Sequence, residues 1–169
     1  MKDFDWNLTF NELGPALYRF FCASFAPAVA DDCVQETFFR LIQKVKDGKF
    51  DIGLGNIRMY SYGVANFVRL EHLKMRTYLS ETEHAEAVLL PTYEREIDDR
   101  RQIDILRQAI AKLPDTQQYI LQLYLDKELK MEDIALLANM PIGTVKSHIH
   151  RAKEQIKMGF SNQKELENE

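Results

Sequence analysis

The chain has 169 residues, 46% hydrophobic and 28% charged, with a formal net charge of −4. That composition is globular and leaves room for one medium core or two small ones. It argues at first against a nucleic-acid partner, until the distribution of charge along the chain is considered.

The first ten residues carry Lys2, Asp3 and Asp5 and no apolar core, so no signal peptide is expected, and no apolar run approaches membrane length. These features predict a cytoplasmic protein without membrane insertion. Cys22 and Cys33 both lie in apolar helical context, which favours buried free thiols over a disulfide.

The first informative segment is Asp31–Leu41, DDCVQETFFRL. Val34, Phe38, Leu41 and Val45 recur at helical spacing and form a core stripe. Asp32, Gln35, Glu36 and Phe39 project elsewhere, an apolar group within a polar rim, which suits an interface. A loop follows over Lys46–Asn56, where Gly48, Gly53 and Gly55 cluster.

Next comes Ile57–Arg76, IRMYSYGVANFVRLEHLKMR, which combines aromatic and cationic residues. Aromatic faces restore about 1–3 kcal/mol per captured base when duplex DNA opens. Arg69, Lys74 and Arg76 are suited to holding a strand backbone. Core packing is the competing role for the tyrosines, more so for Tyr62 than for Tyr60. The segment Tyr78–Asp99 sets Glu81, Glu83, Glu86, Glu94, Glu96, Asp98 and Asp99 against Arg95 alone, the composition of a solvated linker.

The C-terminal part ends in Met131–Lys153, MEDIALLANMPIGTVKSHIHRAK. Ile134, Ala135, Leu137 and Ala138 give a short apolar stripe. Asn139 tolerates the left-handed conformation that ends a helix, and Pro141 sits where a new helix can begin. In that second helix Val145, Ile149, Ala152 and Ile156 form the inward stripe. Thr144, Lys146, Ser147, His150 and Arg151 are left on the other side, the division a DNA-reading helix needs. Over His148–Lys157 the charge is basic, with Arg151, Lys153 and Lys157 against Glu154. Local charge, not the total, determines DNA contact.

PIGTVKSHIHRAKEQI resembles the promoter-reading helix of bacterial sigma factors of the extracytoplasmic-function group, and the resemblance extends over Ile103–Lys157. It departs from the family at His148, where Arg is usual, and at Lys130, where a small capping residue is usual, a substitution expected to weaken the cap by ~1 kcal/mol. DDCVQETFFRL is similar to the family surface that docks on the polymerase, implying that role for Asp32, Gln35, Glu36 and Phe39. Ile57–Arg76 resembles the promoter-melting segment. Tyr60 takes the place of the family's Trp. The family's Asn falls on Phe67, or on Asn66 with a one-residue slip. The implied melting set is Tyr60, Tyr62, Asn66, Phe67, Arg69, Lys74 and Arg76, and the implied distal-promoter set is Thr144, Lys146, Ser147, His150 and Arg151.

The expectation is therefore an all-α chain of two small helical domains joined by an acidic flexible linker, the C-terminal domain holding a helix-turn-helix. Residues 8–77 form the docking and melting domain, 78–99 the linker and 100–160 the distal promoter reader. No strong period-two run points to a sheet. The stretch from Thr77 to Arg101, about 25 residues, reaches ~80 Å when extended but ~25–30 Å as a free coil. Promoter elements two helical turns apart lie ~70 Å from each other, so something must stretch it.

The resemblance implies a non-enzymatic subunit that recognises the -10 and -35 promoter elements, with core RNA polymerase, promoter DNA and an anti-sigma factor as partners, and that is a monomer when free. No catalytic constellation, cofactor motif or metal-ligand spacing is apparent. The alternative is a helix-turn-helix regulator of the response-regulator output type. A rival of another class is an interaction protein that mimics a sigma surface to sequester an inhibitor.

Overall fold

The computed structural model describes residues 4–51, 55–80, 105–106 and 108–166. Every element among them is helical. The chain divides into two compact units, Met1–Pro91 and Thr92–Glu169.

In the first unit α1 spans Trp6–Cys22, α2 Pro27–Lys46 and α3 Ile57–Ser80. Asp5 caps α1, its Oδ1 accepting the Leu8 amide at 3.0 Å. Pro27 opens α2, where a missing amide costs nothing. The apolar faces of all three helices meet in one core: Leu13, Leu17, Phe20 and Phe21 from α1, Ala30, Val34, Phe38 and Leu41 from α2, and Tyr62, Ala65 and Val68 from α3. The α2 stripe is buried as its period required, with Val45 half-buried at its end.

Aromatic rings fill much of this core. Phe20 meets Phe21 at 5.3 Å and Tyr62 at 5.6 Å between centroids, both edge to face, an arrangement that suits the ring quadrupoles. Buried hydroxyls are satisfied locally. Thr37 Oγ1 donates to the Cys33 carbonyl and Ser61 Oγ to the Ile57 carbonyl, each at 2.7 Å. Cys33 is buried as expected, whereas Cys22, for which burial was also expected, is half-buried.

Gly48 ends α2. Its φ of +67° admits a six-residue closing turn in which the Lys49 amide donates to Lys44 O at 2.9 Å and the Gly48 amide to Val45 O at 3.1 Å. Helix α3 runs on through Ser80, so the first residues of the expected 78–99 linker are helical. The remainder of that linker lies outside the described residues, as do Gly53 and residues 100–104.

The second unit holds α4 at Asp115–Leu125, α5 at Met131–Ala138 and α6 at Ile142–Leu166. A short helical stretch at 108–111 precedes α4. Gln118 Nε2 caps that stretch by donating to Leu113 O at 2.8 Å and Ala111 O at 3.3 Å. The core here is aliphatic. Leu113, Leu121 and Ala152 pack with Ile110 and Ile156, and Ile120, Leu123, Ile134, Val145 and Ile149 are also buried.

Lys130 is the residue ahead of α5, and an ammonium has no acceptor with which to cap a helix. Asp133 supplies half of a capping box instead, its Oδ2 accepting the Lys130 amide at 2.9 Å. Asn139 is left-handed at φ 53°, as its residue type predicts, and the Met140 amide closes the turn on Ala135 O at 3.0 Å. Pro141 then starts α6, its carbonyl accepting the Thr144 and Val145 amides.

Candidate nucleic-acid interface

Helix α6 separates its faces cleanly. Val145, Ile149 and Ala152 are buried against the unit. Thr144, Lys146, Ser147, His150 and Arg151 are all exposed. The apolar side holds the helix rigidly and leaves cationic and short polar groups free to meet base edges and phosphates. Ser147 Oγ donates to Gly143 O at 2.9 Å, so its oxygen is presented to a partner chiefly as an acceptor.

Two neighbours fall outside this face. His148 is half-buried, with a buried Nδ1 that has no hydrogen-bond partner among the described residues. Lys153 is drawn back to α4, its Nζ donating to Tyr124 Oη at 3.0 Å and lying 4.3 Å from the ring centroid.

In the first unit Asp32 and Gln35 are exposed and Phe39 is 58% exposed on α2, an apolar ring standing in water beside polar groups. Glu36 is only half-buried and is engaged. Its Oε1 accepts from Arg40 Nε at 2.6 Å, and Arg40 Nη1 lies 2.7 Å from Glu71 Oε2 on α3. The same guanidinium stands 5.6 Å from the Phe67 ring centroid. Burial works against the charge of Arg40, but the hydrogen bonds from Glu36 and Glu71 outweigh it and raise the pKa further. Sequence reasoning missed Arg40 as the link between α2 and α3. The i, i+4 spacing of Glu36 and Arg40 was visible, but the approach of Glu71 was not.

The melting set divides. Tyr60 is half-buried, Phe67 is 59% exposed, and Lys74 and Arg76 are exposed. Arg76 Nη1 donates to Ser24 O at 3.4 Å. Tyr62 and Arg69 are corrected out of the DNA-facing set. Tyr62 is 2% exposed with its ring against Phe20, so no face is open to a base. Arg69 is 3% exposed, and its Nε donates to Asn66 Oδ1 at 3.3 Å, which leaves no guanidinium surface for a phosphate. Asn66 is thereby half-buried and occupied, whereas Phe67 points outward.

Between the end of α2 and the start of α3 lies a cavity of about 510 Å³, lined by Arg40, Gln43, Lys44, Asp47, Lys49, Tyr60, Gly63, Val64 and Phe67. Tyr60, Gly63, Val64 and Phe67 belong to one face of α3 by their i, i+3, i+4, i+7 spacing. Aromatic and cationic residues lining one cavity suit single-stranded nucleic acid.

A helix-turn-helix with an exposed polar face is the arrangement of a DNA-binding protein, and a separate helical unit carries the aromatic and cationic cavity. Residues 103–156 match the family described as Sigma-70, region 4. The chain is 26% identical over 140 residues to the ECF RNA polymerase sigma factor SigW of Bacillus subtilis (strain 168), covering 76% of this chain and 73% of that one. It is likewise 26% identical over 143 residues to the RNA polymerase sigma factor YlaC of the same organism, covering 82% and 81%.

Its fold is similar to that of the sigma factor RpoE in complex with the anti-sigma factor NepR from Bartonella quintana, with a TM-score of 0.75, 20% identity, and coverage of 93% of this chain and 97% of that one. It is also similar to that of CnrH in complex with the cytosolic domain of CnrY, with a TM-score of 0.67, 15% identity, and coverage of 92% and 87%. The chain is thus similar over most of its length to sigma factors of RNA polymerase of the extracytoplasmic-function group, with the Sigma-70 region 4 match confined to residues 103–156. No helix among the described residues is long and apolar enough to cross a membrane.

Proposed function

We propose that this chain binds core RNA polymerase and directs it to particular promoters, reading the distal element with α6 and opening the proximal element with the first unit. The observation that carries this reading is the exposed face of α6, where Thr144, Lys146, Ser147, His150 and Arg151 stand together on a helix seated by buried Val145, Ile149 and Ala152. Residues 8–77 serve docking and melting, 78–99 tether, and 100–160 read the distal element. Asp32, Gln35 and Phe39 contact the polymerase, with Glu36 at their edge. Tyr60, Phe67, Lys74 and Arg76 face the melted strand.

The fold neighbours named for their complexes with NepR and CnrY support an anti-sigma partner for this chain too. Acting on the polymerase, it would reside in the cytoplasm, be monomeric when free, and contribute specificity rather than catalysis.

In vitro transcription tests the reading. Core polymerase with this chain, given a genomic library, is expected to yield a defined set of transcripts that core alone does not make. A chain that footprints DNA unaided and adds nothing to polymerase is a simple helix-turn-helix regulator. One that binds neither and captures only an inhibitor is a mimic.

A further inference from the structure

Lys153 stands outside the reader face of α6, yet the second unit specifies where its charge sits. Its Nζ donates to Tyr124 Oη at 3.0 Å and lies 4.3 Å from the centroid of the Tyr124 ring. Tyr124 belongs to the last turn of α4, which packs against α6. Both side chains are exposed. A cation–π contact at an exposed site adds little to stability, so its main consequence is the placing of the ammonium.

The partner sets this cation apart. In the first unit Arg40 lies against Glu36 and Glu71, and Lys49 is 3.4 Å from Asp47. A tyrosine hydroxyl cancels no charge. Among the described residues no carboxylate comes within ion-pair distance of Lys153. Neighbouring Glu154 sits about 100° further round the helix. An ammonium has three donors, and the hydroxyl takes one of them. A full positive charge is thus held in place and left unneutralised.

Lys153 is also not isolated. Lys146, His150 and Lys153 follow at i, i+4 and i+7, and all three are exposed. They form a stripe along one flank of α6, beside the face that carries Thr144, Ser147 and Arg151. Seven residues of helix rise ~10 Å, and the phosphates of one strand recur every ~3.4 Å of duplex axis. A helix seated in a groove has a phosphate backbone alongside it, within reach of such a flank.

We propose that Lys153 is a phosphate contact of the distal promoter complex and Tyr124 its positioning residue, the pair carrying the flank of α6 further along one strand than the reader residues reach. The proposal rests on the reading that α6 binds the distal element. A free lysine loses rotamer freedom when it meets a phosphate. One already resting on Tyr124 loses less, so more of the gain from counterion release appears as affinity. Because a phosphate carries no sequence, the contact strengthens all promoters alike.

The test uses the full chain assembled with core polymerase and measures closed-complex affinity across a salt series, on several promoters recovered from the library transcription. Lys153→Gln is expected to weaken every promoter by a similar factor and to lower the slope of log affinity against log salt by about 1. Roughly a fourfold rise in salt should then narrow the gap between wild type and variant about threefold. Lys153→Arg keeps the charge and the slope. Tyr124→Leu removes ring and hydroxyl together and should weaken closed complexes at low salt. The double variant should be no weaker than Lys153→Gln alone, since Tyr124 acts through Lys153. Base preferences and affinity for core polymerase stay at their wild-type values throughout.

The proposal is overturned if Lys153→Gln leaves the salt slope unchanged, or if Tyr124→Leu weakens DNA binding equally with and without Lys153. Either result makes the pair part of the fold alone. A shift in base preference also overturns it, because Lys153 would then read a base edge. Loss of core affinity does so too, because the cation would then meet the polymerase. Wild-type closed complexes indifferent to the sequence of the distal element are a separate result, and they remove the reading of α6 together with the proposal built on it.

Discussion

Under the proposed function, the two units meet DNA in opposite ways. The second has a largely aliphatic core, and the proposed reader Thr144, Lys146, Ser147, His150 and Arg151 is exposed on one face of α6, opposite buried Val145, Ile149 and Ala152. The first has an aromatic core, and aromatic residues are also what a melted strand requires. Tyr60 and Tyr62 stand two residues apart on α3, yet one borders a cavity and the other is sealed against Phe20. Where core and site draw on the same residue types, type alone does not tell them apart.

The sharpest way to break this contrast is Tyr62→Ala. If Tyr62 is core, its loss should destabilise the first unit by ~3–5 kcal/mol, as for other large buried rings, while the second unit melts unchanged. Denaturant unfolding followed by circular dichroism measures this. A folded variant whose only defect is slow promoter opening would return Tyr62 to the DNA-facing set.

The next effect concerns the docking face, which is outside the core altogether. Gln35→Ala combined with Phe39→Ala is expected to weaken core-polymerase binding by ~2 kcal/mol or more, because a central exposed anchor is lost. Helicity should not change. Equal affinity of variant and wild type in a fluorescence titration removes the assignment.

In the second unit the contrast is sharpened by separating base reading from phosphate contact. Arg151→Ala should cost ~1–3 kcal/mol and relax preference at one base position. Lys146→Ala should weaken all promoters alike and lower the salt dependence. A promoter-variant library transcribed by both variants distinguishes these outcomes. Identical base preferences for Arg151→Ala and wild type would end the direct-readout role.

The smallest effect is expected from Cys33. Burial, with Asp32 and Glu36 nearby, pushes its thiol from 9.0 up to about 12. The folded state thus holds the proton more tightly than the unfolded chain. The resulting stability is fully present below pH 9.0 and is lost as pH rises toward 12. Unfolding midpoints taken across the lower part of that window should fall less steeply in Cys33→Ala than in wild type. Native-state labelling should modify half-buried Cys22 well before Cys33.

Much of this molecule was legible in the residue order alone. The α2 stripe, the left-handed Asn139 and the two faces of α6 follow from the 3.6-residue period and from local backbone chemistry. Both operate within a few residues and need no knowledge of distant partners. The same locality explains why the exposed polar set on α6 was legible directly, since one helix carries it.

What tertiary structure decided is everything that depends on contact between segments. Which tyrosine of α3 faces the core was set by where Phe20 of α1 arrives. Arg69 is buried because α3 packs along that side, and Arg40 links α2 to α3 because Glu71 comes within 2.7 Å. The stack of Phe50 on Tyr60 joins a loop to a helix through a glycine that leaves room for the ring. Periodicity determines which side of a helix is apolar, but only packing determines which residues at the edge of that side are covered and which remain free to bind.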